Sequence, residues 1–231
     1  MRAIFHPFED LIKDDILVIE DERAHHLNVV RVKVDEVVKI FNGKGKSAKG
    51  VIKAISKNKI QISILQLDQE LPLHRLSLAI ALPKKDAFED ILKMAVELGV
   101  EKIYPLKSEF SQYEFIQNER IDRLLESALI QSNNSYFPII SKQQSLGQFL
   151  ESCPGKVAFF NSQNSTIRHL TKNIELTILI GPEGGFSSKE IDQIRSRPEI
   201  LEIHLPTPIL RAPTAVAASI GYLLSSISPV T

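Results

Sequence analysis

The sequence predicts a small β-barrel domain followed by an α/β domain with a parallel sheet. Short apolar stretches separated by turn signals fill residues 29–66, whereas from residue 76 apolar strands alternate with amphipathic helices. At roughly 150 residues per domain, the 231 residues fit one large domain or two small ones. Because the pattern of apolar residues changes at Leu71-Pro72, we predict domains at residues 1–72 and 73–231.

The first domain contains a strong hairpin signal. Asn42-Gly43 follows the apolar residues 37–41 and precedes a second apolar stretch at residues 51–55. Isoleucines then alternate with polar residues over residues 60–64, which is the period of a half-buried strand. Several short strands at this spacing favour a small barrel.

The second domain shows the rhythm of βαβ units. The spacing predicts strands at residues 76–82, 102–106, 156–160, 176–180 and 200–205, and helices at residues 86–98, 119–132, 188–195 and 213–226. The helix at 86–98 carries its apolar residues on one stripe and ends at Gly99. Such alternation is typical of a parallel sheet covered by helices.

Composition excludes several classes of protein. The formal net charge is zero, from 28 basic and 28 acidic residues, and Cys153 is the single cysteine, so neither an internal disulfide nor a multi-cysteine zinc site is expected. The six histidines lack His-Glu-x-x-His spacing, and we expect no metal. Acidic residues interrupt the N-terminus, and the longest apolar stretch, residues 215–224, is about half of a bilayer span. We therefore expect a cytoplasmic protein without membrane association.

The neutral total hides a local imbalance of charge. Residues 1–22 contain two basic and seven acidic residues, whereas residues 23–59 contain ten basic residues against Asp35 and Glu36. One interpretation is a field that attracts polyanions such as RNA. The other is a solvated strand face, on which lysines prevent edge-to-edge pairing.

Two loops of the second domain are candidates for ligand binding. Residues 181–187 read Gly-Pro-Glu-Gly-Gly-Phe-Ser between a strand and a helix, and the three glycines permit positive φ and close backbone approach. The loop matches neither a phosphate-binding loop nor the dinucleotide-binding turn. Taken alone, it is as compatible with a plain structural turn as with a site.

The second loop, residues 205–215, enters the last helix, with Pro213 suited to the first helical turn. Ile209 and Leu210 have the character to line a flat heterocycle, and Arg211 is the one charged residue of the loop. Arg211 alternatively caps carbonyl groups at the surface. Both loops follow strands that we expect to be adjacent, at the sheet edge where open α/β folds bind ligands.

Together these two loops resemble the RsmE-type family of bacterial small-subunit ribosomal RNA uridine-N3 methyltransferases, in the SPOUT superfamily. The resemblance rests on Gly-Pro-Glu-Gly-Gly-Phe-Ser followed by Ile-Leu-Arg-x-x-Thr-Ala at residues 209–215. It extends to His-His-Leu at residues 25–27 with Arg31, to Leu-Pro-Lys at residues 82–84, and to residues 97–106. It covers nearly the whole chain in the same motif order.

The resemblance implies a PUA-like N-terminal barrel, a C-terminal domain with a trefoil knot, and a homodimer formed through that domain. It implies that S-adenosylmethionine is the cofactor and lies in the knot, held largely by backbone groups. The last helix is rich in small residues, which permits close helix approach: Ala215, Ala217, Ala218, Ser219 and Gly221. The positions expected to bind the cofactor are Ile180, Gly181, Glu183, Gly184, Gly185, Leu205, Ile209, Leu210 and Ala215, with Asn161 in a third loop.

The implied substrate is 16S small-subunit ribosomal RNA or the small ribosomal subunit. Methylation of uracil N3 requires removal of its proton, and we expect Arg211 to stabilise the resulting anion. Glu183 is a weaker candidate for a catalytic group. The residues expected to contact RNA are Arg23, His25, His26, Arg31, Lys44, Lys46, Lys49 and Lys84.

The chain departs from the family pattern at four positions. Phe110 and Asn134 stand where arginines are usual, and Ile130 and Pro213 stand where glutamates are usual. Two alternatives therefore stay open beside the leading interpretation. One is a non-catalytic RNA-binding factor of ribosome assembly that keeps the fold, and the other is a related knotted methyltransferase with another RNA substrate.

Overall fold

The computed structural model describes residues 1–20, 32–111, 113–153, 155–161 and 175–226. Four predicted RNA contacts, Arg23, His25, His26 and Arg31, lie outside these residues. The chain forms two compact units. The first comprises Met1–Leu71 and Leu129–Phe137, and the second comprises Pro72–Ala128 and Pro138–Thr231. The functional division between residues 1–72 and 73–231 stays a prediction.

The first unit is built on one five-stranded sheet. Its strands are β1 (Arg2–Phe5), β2 (Ile16–Glu20), β3 (Val37–Phe41), β4 (Lys46–Ile55) and β5 (Lys59–Gln69). The order across the sheet is β1-β3-β4-β5-β2, with only the β1–β3 pair parallel. Alternate isoleucines of β5 are fully buried, which confirms the predicted half-buried strand. β1 and β2 were not predicted from the sequence.

The β3–β4 connection lies where Asn42-Gly43 predicted it. The Asn42 side chain accepts hydrogen bonds from the backbone N–H groups of Lys44 and Lys46 at 2.8 and 3.0 Å. Gly43 and Gly45 both have positive φ. A Cβ at Gly45 would lie 2.1 Å from the Tyr136 hydroxyl, so this glycine also permits the close approach of residues 135–137.

The second unit is built on a seven-stranded parallel sheet. Its strands are β6 (Leu76–Ala81), β7 (Lys102–Lys107), β8 (Ile139–Ile140), β9 (Gln144–Ser145), β10 (Lys156–Phe160), β11 (Leu176–Ile180) and β12 (Ile200–Ile203). The order is β12-β10-β11-β6-β7-β8, and β9 also pairs with β7. The helices are α1 (Lys85–Glu97), α2 (Glu119–Ser132), α3 (Leu146–Ser152), α4 (Ser188–Arg195) and α5 (Ala212–Ser226).

The predicted α/β pattern is confirmed, with one correction to the sheet. The strands that precede the two candidate loops, β11 and β12, are not adjacent, because β10 pairs with both of them. The residue that follows β10, Asn161, is therefore placed between the two loops. The short elements β8, β9 and α3 were not predicted, because they contain too few residues to show a periodic pattern of apolar side chains.

Local signals explain where two helices of this unit begin. Ser187 caps α4, and Glu190 reaches back to the Ser187 N–H at 2.9 Å, completing a capping box. Pro213 lies in the first turn of α5, as predicted, where a missing N–H costs no helical hydrogen bond. Among the described helices, none is long and apolar enough to cross a bilayer.

Candidate functional site

Three loops at the carboxyl ends of β10, β11 and β12 surround a cavity of about 280 Å³. The structure brings all ten residues predicted to bind the cofactor to the wall of this cavity. They are Asn161, Ile180, Gly181, Glu183, Gly184, Gly185, Leu205, Ile209, Leu210 and Ala215. This placement follows from the topology, because the carboxyl ends of parallel strands meet at one edge of the sheet.

The first candidate loop, residues 181–187, forms a tight turn at one side of the cavity. The Gly185 N–H donates to the Pro182 carbonyl oxygen at 2.8 Å. Of the three glycines, Gly185 alone has positive φ, at +72°. The expectation that the loop needs conformational freedom thus holds for Gly185, whereas at Gly181 the space for a side chain is tight.

Neighbouring side chains limit the space at Gly181 more than at Gly184. A Cβ at Gly181 would lie 3.2 Å from the Phe186 ring, which is tighter than an ordinary contact. A Cβ at Gly184 would lie 3.4 Å from the Cβ of Phe110. The loop that carries Phe110 is tied to α4, because the Glu109 N–H donates to the Glu190 carboxylate at 2.9 Å.

The cavity wall is mainly apolar and almost uncharged. Phe186, Ile180 and Leu210 supply apolar surface, and Phe186 packs on Phe159 with ring centroids 5.8 Å apart. Among the described residues that line the cavity, only Glu183 is ionisable. A single carboxylate in such a wall favours a ligand that combines an apolar face with positive charge.

Two polar residues of the wall, Thr207 and Ser219, were not predicted from the sequence to bind the cofactor. Ser219, on α5, is buried, and its Oγ has no hydrogen-bond partner among the described residues. A buried hydroxyl without a partner costs free energy until a ligand supplies one. S-adenosylmethionine has an aromatic base, hydroxyl and amino groups and a positive sulfonium, so the wall fits it. The i+4 spacing from Ala215 to Ser219 was the available signal.

The two candidates for catalysis lie in different surroundings. Glu183 is exposed and lines the cavity. Arg211 is exposed and is not among the described lining residues. Its carbonyl oxygen accepts from the Ala215 N–H at 2.8 Å, so its backbone begins α5. Arg211 directly precedes Ala212, which lines the cavity, and no described side chain pairs with its guanidinium.

The basic run of the first unit is partly neutralised by the acidic N-terminal segment. Lys44 forms an ion pair with Glu9, and Lys46 donates to the Glu9 carbonyl oxygen at 2.7 Å. Lys59 pairs with Glu20 at 3.2 Å. The two charge blocks that stood out in sequence thus partly offset each other in the fold, an arrangement that only strand pairing brings about.

The two other predicted RNA contacts among the described residues are Lys49, which is partly buried, and Lys84. Lys49, on β4, lies 3.5 Å from the Gln66 amide oxygen, a long and weak contact. Lys84 is exposed and immediately precedes α1 in the second unit. Within the described residues, no cluster of three or more His, Cys, Asp or Glu side chains is arranged to hold a metal ion.

Comparisons with known proteins place the chain in a family. An RNA methyltransferase domain model matches residues 69–224, and an RNA methyltransferase PUA domain model matches residues 19–65. The chain is 30% identical over 216 residues to ribosomal RNA small subunit methyltransferase E of Rickettsia conorii, covering 90% of this chain and 88% of the relative. It is 28% identical over 240 residues to the protein of that name in Synechocystis, covering 97% and 78%.

A solved structure agrees with this assignment. The crystal structure of a ribosomal RNA small subunit methyltransferase E from Neisseria gonorrhoeae bound to S-adenosyl methionine has a TM-score of 0.85 and 26% identity, covering 97% of both chains. The domain models together cover most of the chain, and the structural match spans both units. This chain therefore belongs to the RsmE-type family of ribosomal RNA small subunit methyltransferases.

Proposed function

We propose that this protein transfers a methyl group from S-adenosylmethionine to N3 of a uridine in small-subunit ribosomal RNA. The observation that carries the proposal is the cavity, whose wall collects ten predicted cofactor positions from three separate loops. The relatives named as ribosomal RNA small subunit methyltransferases support the RNA substrate. Such a substrate is consistent with action in the cytoplasm.

The cavity is the proposed site of the cofactor. Phe186, Ile180 and Leu210 would pack against its base. The backbone of residues 181–185 would lie close to the cofactor, because three of these five residues are glycines without a side chain. Glu183 supplies the one negative charge of the described wall, which complements a cationic ligand. When bound, the cofactor supplies an activated methyl group on a positive sulfur.

On the acceptor side, this chain must lower the cost of removing the N3 proton of uracil. The negative charge that then develops spreads onto the two flanking carbonyl oxygens, where a planar cationic donor stabilises it. Arg211 has an exposed guanidinium and begins the helix that borders the cavity, so it is our candidate for this role. The target uridine must be unpaired or extruded, because base pairing covers N3.

Four lysines of the described residues are the proposed RNA contacts, in both units. Lys44, Lys46 and Lys49 lie on the β3–β4 hairpin, and Lys84 precedes α1. The ion pair of Lys44 with Glu9 is solvent-exposed, so it contributes little energy and is readily exchanged for a phosphate. Arg23, His25, His26 and Arg31 belong to the same proposal through the family resemblance.

We also propose a homodimer formed through the C-terminal unit. Of the small residues on α5, Ala215 and Ser219 line the cavity, whereas Gly221 is exposed and no described atom lies within 4 Å of where its Cβ would be. Ala218 lies three residues earlier, so the open side of the helix can be approached closely. Light scattering should give about twice 25.9 kDa at micromolar concentration. A particle of monomer mass would contradict the dimer.

The trefoil knot stays a prediction from the resemblance.

The decisive experiment is transfer of a radiolabelled methyl group. RNA from a cell lacking this protein is incubated with the protein and labelled S-adenosylmethionine, and the labelled nucleoside is identified. We expect label at uridine N3 of small-subunit RNA. Label on another RNA or base would favour a related methyltransferase. No transfer at all would favour a non-catalytic assembly factor, the alternative that Phe110, Asn134, Ile130 and Pro213 motivate.

A further inference from the structure

Asn161 is held in place by three hydrogen bonds. Its N–H donates to the Ile203 carbonyl oxygen at 3.1 Å, and its side-chain Nδ2 donates to Glu202 Oε1 at 3.0 Å. The Nδ1 of His204 lies 3.3 Å from the Asn161 carbonyl oxygen, which can only accept, so this nitrogen is the donor. Both backbone groups and one side of the amide are thereby engaged by residues of β12 and its following loop.

The Glu202 carboxylate accepts hydrogen bonds from two residues. Arg195 donates to it through Nη2 at 2.8 Å and through Nε at 3.3 Å, and Asn161 donates to the same carboxylate. The hydrogen bond from the Arg195 guanidinium lowers the pKa of the Glu202 carboxyl below its ordinary value of 4.5, against an opposing effect of burial. Glu202 is therefore a carboxylate at neutral pH and only accepts hydrogen bonds.

This chemistry decides which way the Asn161 amide points. An amide beside a neutral hydroxyl has two nearly equal orientations, whereas beside a carboxylate its NH₂ group must face the oxygen. The Oδ1 atom then lies on the opposite side of the amide from Glu202. Asn161 lines the cavity. None of the described groups donates to Oδ1, so this acceptor is available to a bound molecule.

We infer that Glu202, clamped by Arg195, is a positioning residue that orients Asn161 so that Oδ1 accepts a hydrogen bond from an amino or hydroxyl group of the ligand in the cavity. The inference rests on the proposed function. It predicts that the ligand places a hydrogen-bond donor next to Oδ1 of Asn161. In S-adenosylmethionine the possible donors belong to the adenosine or to the amino-acid part. The shared chemistry is an N–H or O–H group directed at a fixed, neutral oxygen.

The test measures binding of S-adenosylhomocysteine by calorimetry to the full chain and four variants. We expect Asn161→Leu to weaken binding about tenfold, the scale for one lost hydrogen bond. Glu202→Leu should weaken it by a similar factor, and the double variant should be no weaker than Asn161→Leu alone, because Glu202 acts through Asn161. Glu202→Gln should retain most of the affinity, since its amide oxygen can still accept from Asn161.

The exposed carboxylate of Glu199 provides the matched control, and Glu199→Leu should bind as the wild type does. Repeating the series with 5′-methylthioadenosine, which lacks the amino-acid part, locates the donor. An equal loss places it in the adenosine, and a loss confined to S-adenosylhomocysteine places it in the amino-acid part.

Two results would overturn the inference. One is wild-type affinity in a folded Asn161→Leu protein. The other is independent, additive losses for the two leucine variants. If the wild-type protein binds neither probe, the proposed function fails instead, and thermal unfolding of each variant separates both cases from misfolding.

Discussion

Phe110 lies directly over Gly184, with 3.4 Å between the Cβ of Phe110 and the position that a Cβ of residue 184 would take. Phe110 is 44% exposed although it borders the loop of Gly184. The ring atoms Cγ and Cδ2 would lie 3.6 and 3.7 Å from that Cβ, so a side chain larger than alanine at position 184 would meet the ring.

This contact predicts a graded response to side chains at position 184. Gly184→Ala should bind S-adenosylhomocysteine within about twofold of wild type, because 3.4 Å is an ordinary van der Waals contact. Gly184→Val adds two methyl groups that press on Phe110 and should weaken binding about tenfold. Adding Phe110→Ala should restore most of the loss, measured by calorimetry. A Val variant that is equally weak in both backgrounds would rule out the clash.

At Gly185 the backbone angle φ, and not the available space, limits which side chains can be introduced. No atom of the described residues lies within 4 Å of where its Cβ would be, but its φ of +72° resists β-branched side chains. We expect Gly185→Val to weaken cofactor binding at least tenfold, because the Pro182–Gly185 turn opens. Gly185→Asn, which tolerates positive φ, should lose much less. Equal losses in the two variants would show that bulk, and not backbone strain, is limiting.

The proposed role of Arg211 separates binding from chemistry. Arg211→Ala should leave S-adenosylmethionine affinity within a few-fold and lower the single-turnover methylation rate on the order of 100-fold, the scale for one lost anion-stabilising donor. The rate should also rise more steeply with pH, because the uracil anion loses its stabilisation. Arg211→Lys should recover part of the rate. Lost cofactor binding with a normal rate at saturating cofactor would instead identify a structural clamp.

The lysines of the β3–β4 hairpin predict salt-dependent RNA binding. Replacing Lys44, Lys46 and Lys49 with Ala should weaken RNA binding and lower the slope of log affinity against log salt by about one unit per lost phosphate contact. Affinity for S-adenosylmethionine should not change. Glu9→Gln is the matched test in the opposite direction, because it frees Lys44 and should strengthen RNA binding. Unchanged affinity and slope in the triple variant would leave these lysines as a solvated face.

His74 predicts a loss of stability on mild acidification. Its Nε2 lies 2.9 Å from the Leu98 carbonyl oxygen, and burial lowers the pKa of the ring below its ordinary value of 6.5. As the pH falls below 6.5, the unfolded chain binds a proton that folded His74 does not, so the free energy of unfolding decreases. The decrease is at most about 1.4 kcal/mol per pH unit from this group.

Urea unfolding at several pH values between 7 and 5 measures this dependence. His74→Phe keeps an aromatic ring in the buried position and removes the titrating group, so its stability should fall less steeply with acid. The same slope in both proteins would show that other groups cause the acid sensitivity.

Long periodic elements could be predicted from the sequence, and short ones could not. The strand at Lys156–Phe160 and the helices at Glu119–Ser132 and Ser188–Arg195 have the predicted bounds. Strands such as Ile139–Ile140 are too short for a period to be visible, and they exist because β7 offers an edge to pair with. The two candidate loops, residues 181–187 and 205–215, could be predicted because the spacing of glycine and proline is a local signal.

The sequence by itself determined the β pattern of the first unit, the α/β pattern of the second, the hairpin at Asn42 and ten of the residues that line the cavity. Each depends on local propensity or on a motif that survives in one stretch of chain. Only the tertiary structure decided that β10 separates β11 from β12, that Glu9 meets Lys44, and that Glu202 fixes the Asn161 amide. These contacts join residues 20 or more positions apart. Strand order and packing, which no local pattern encodes, bring them together.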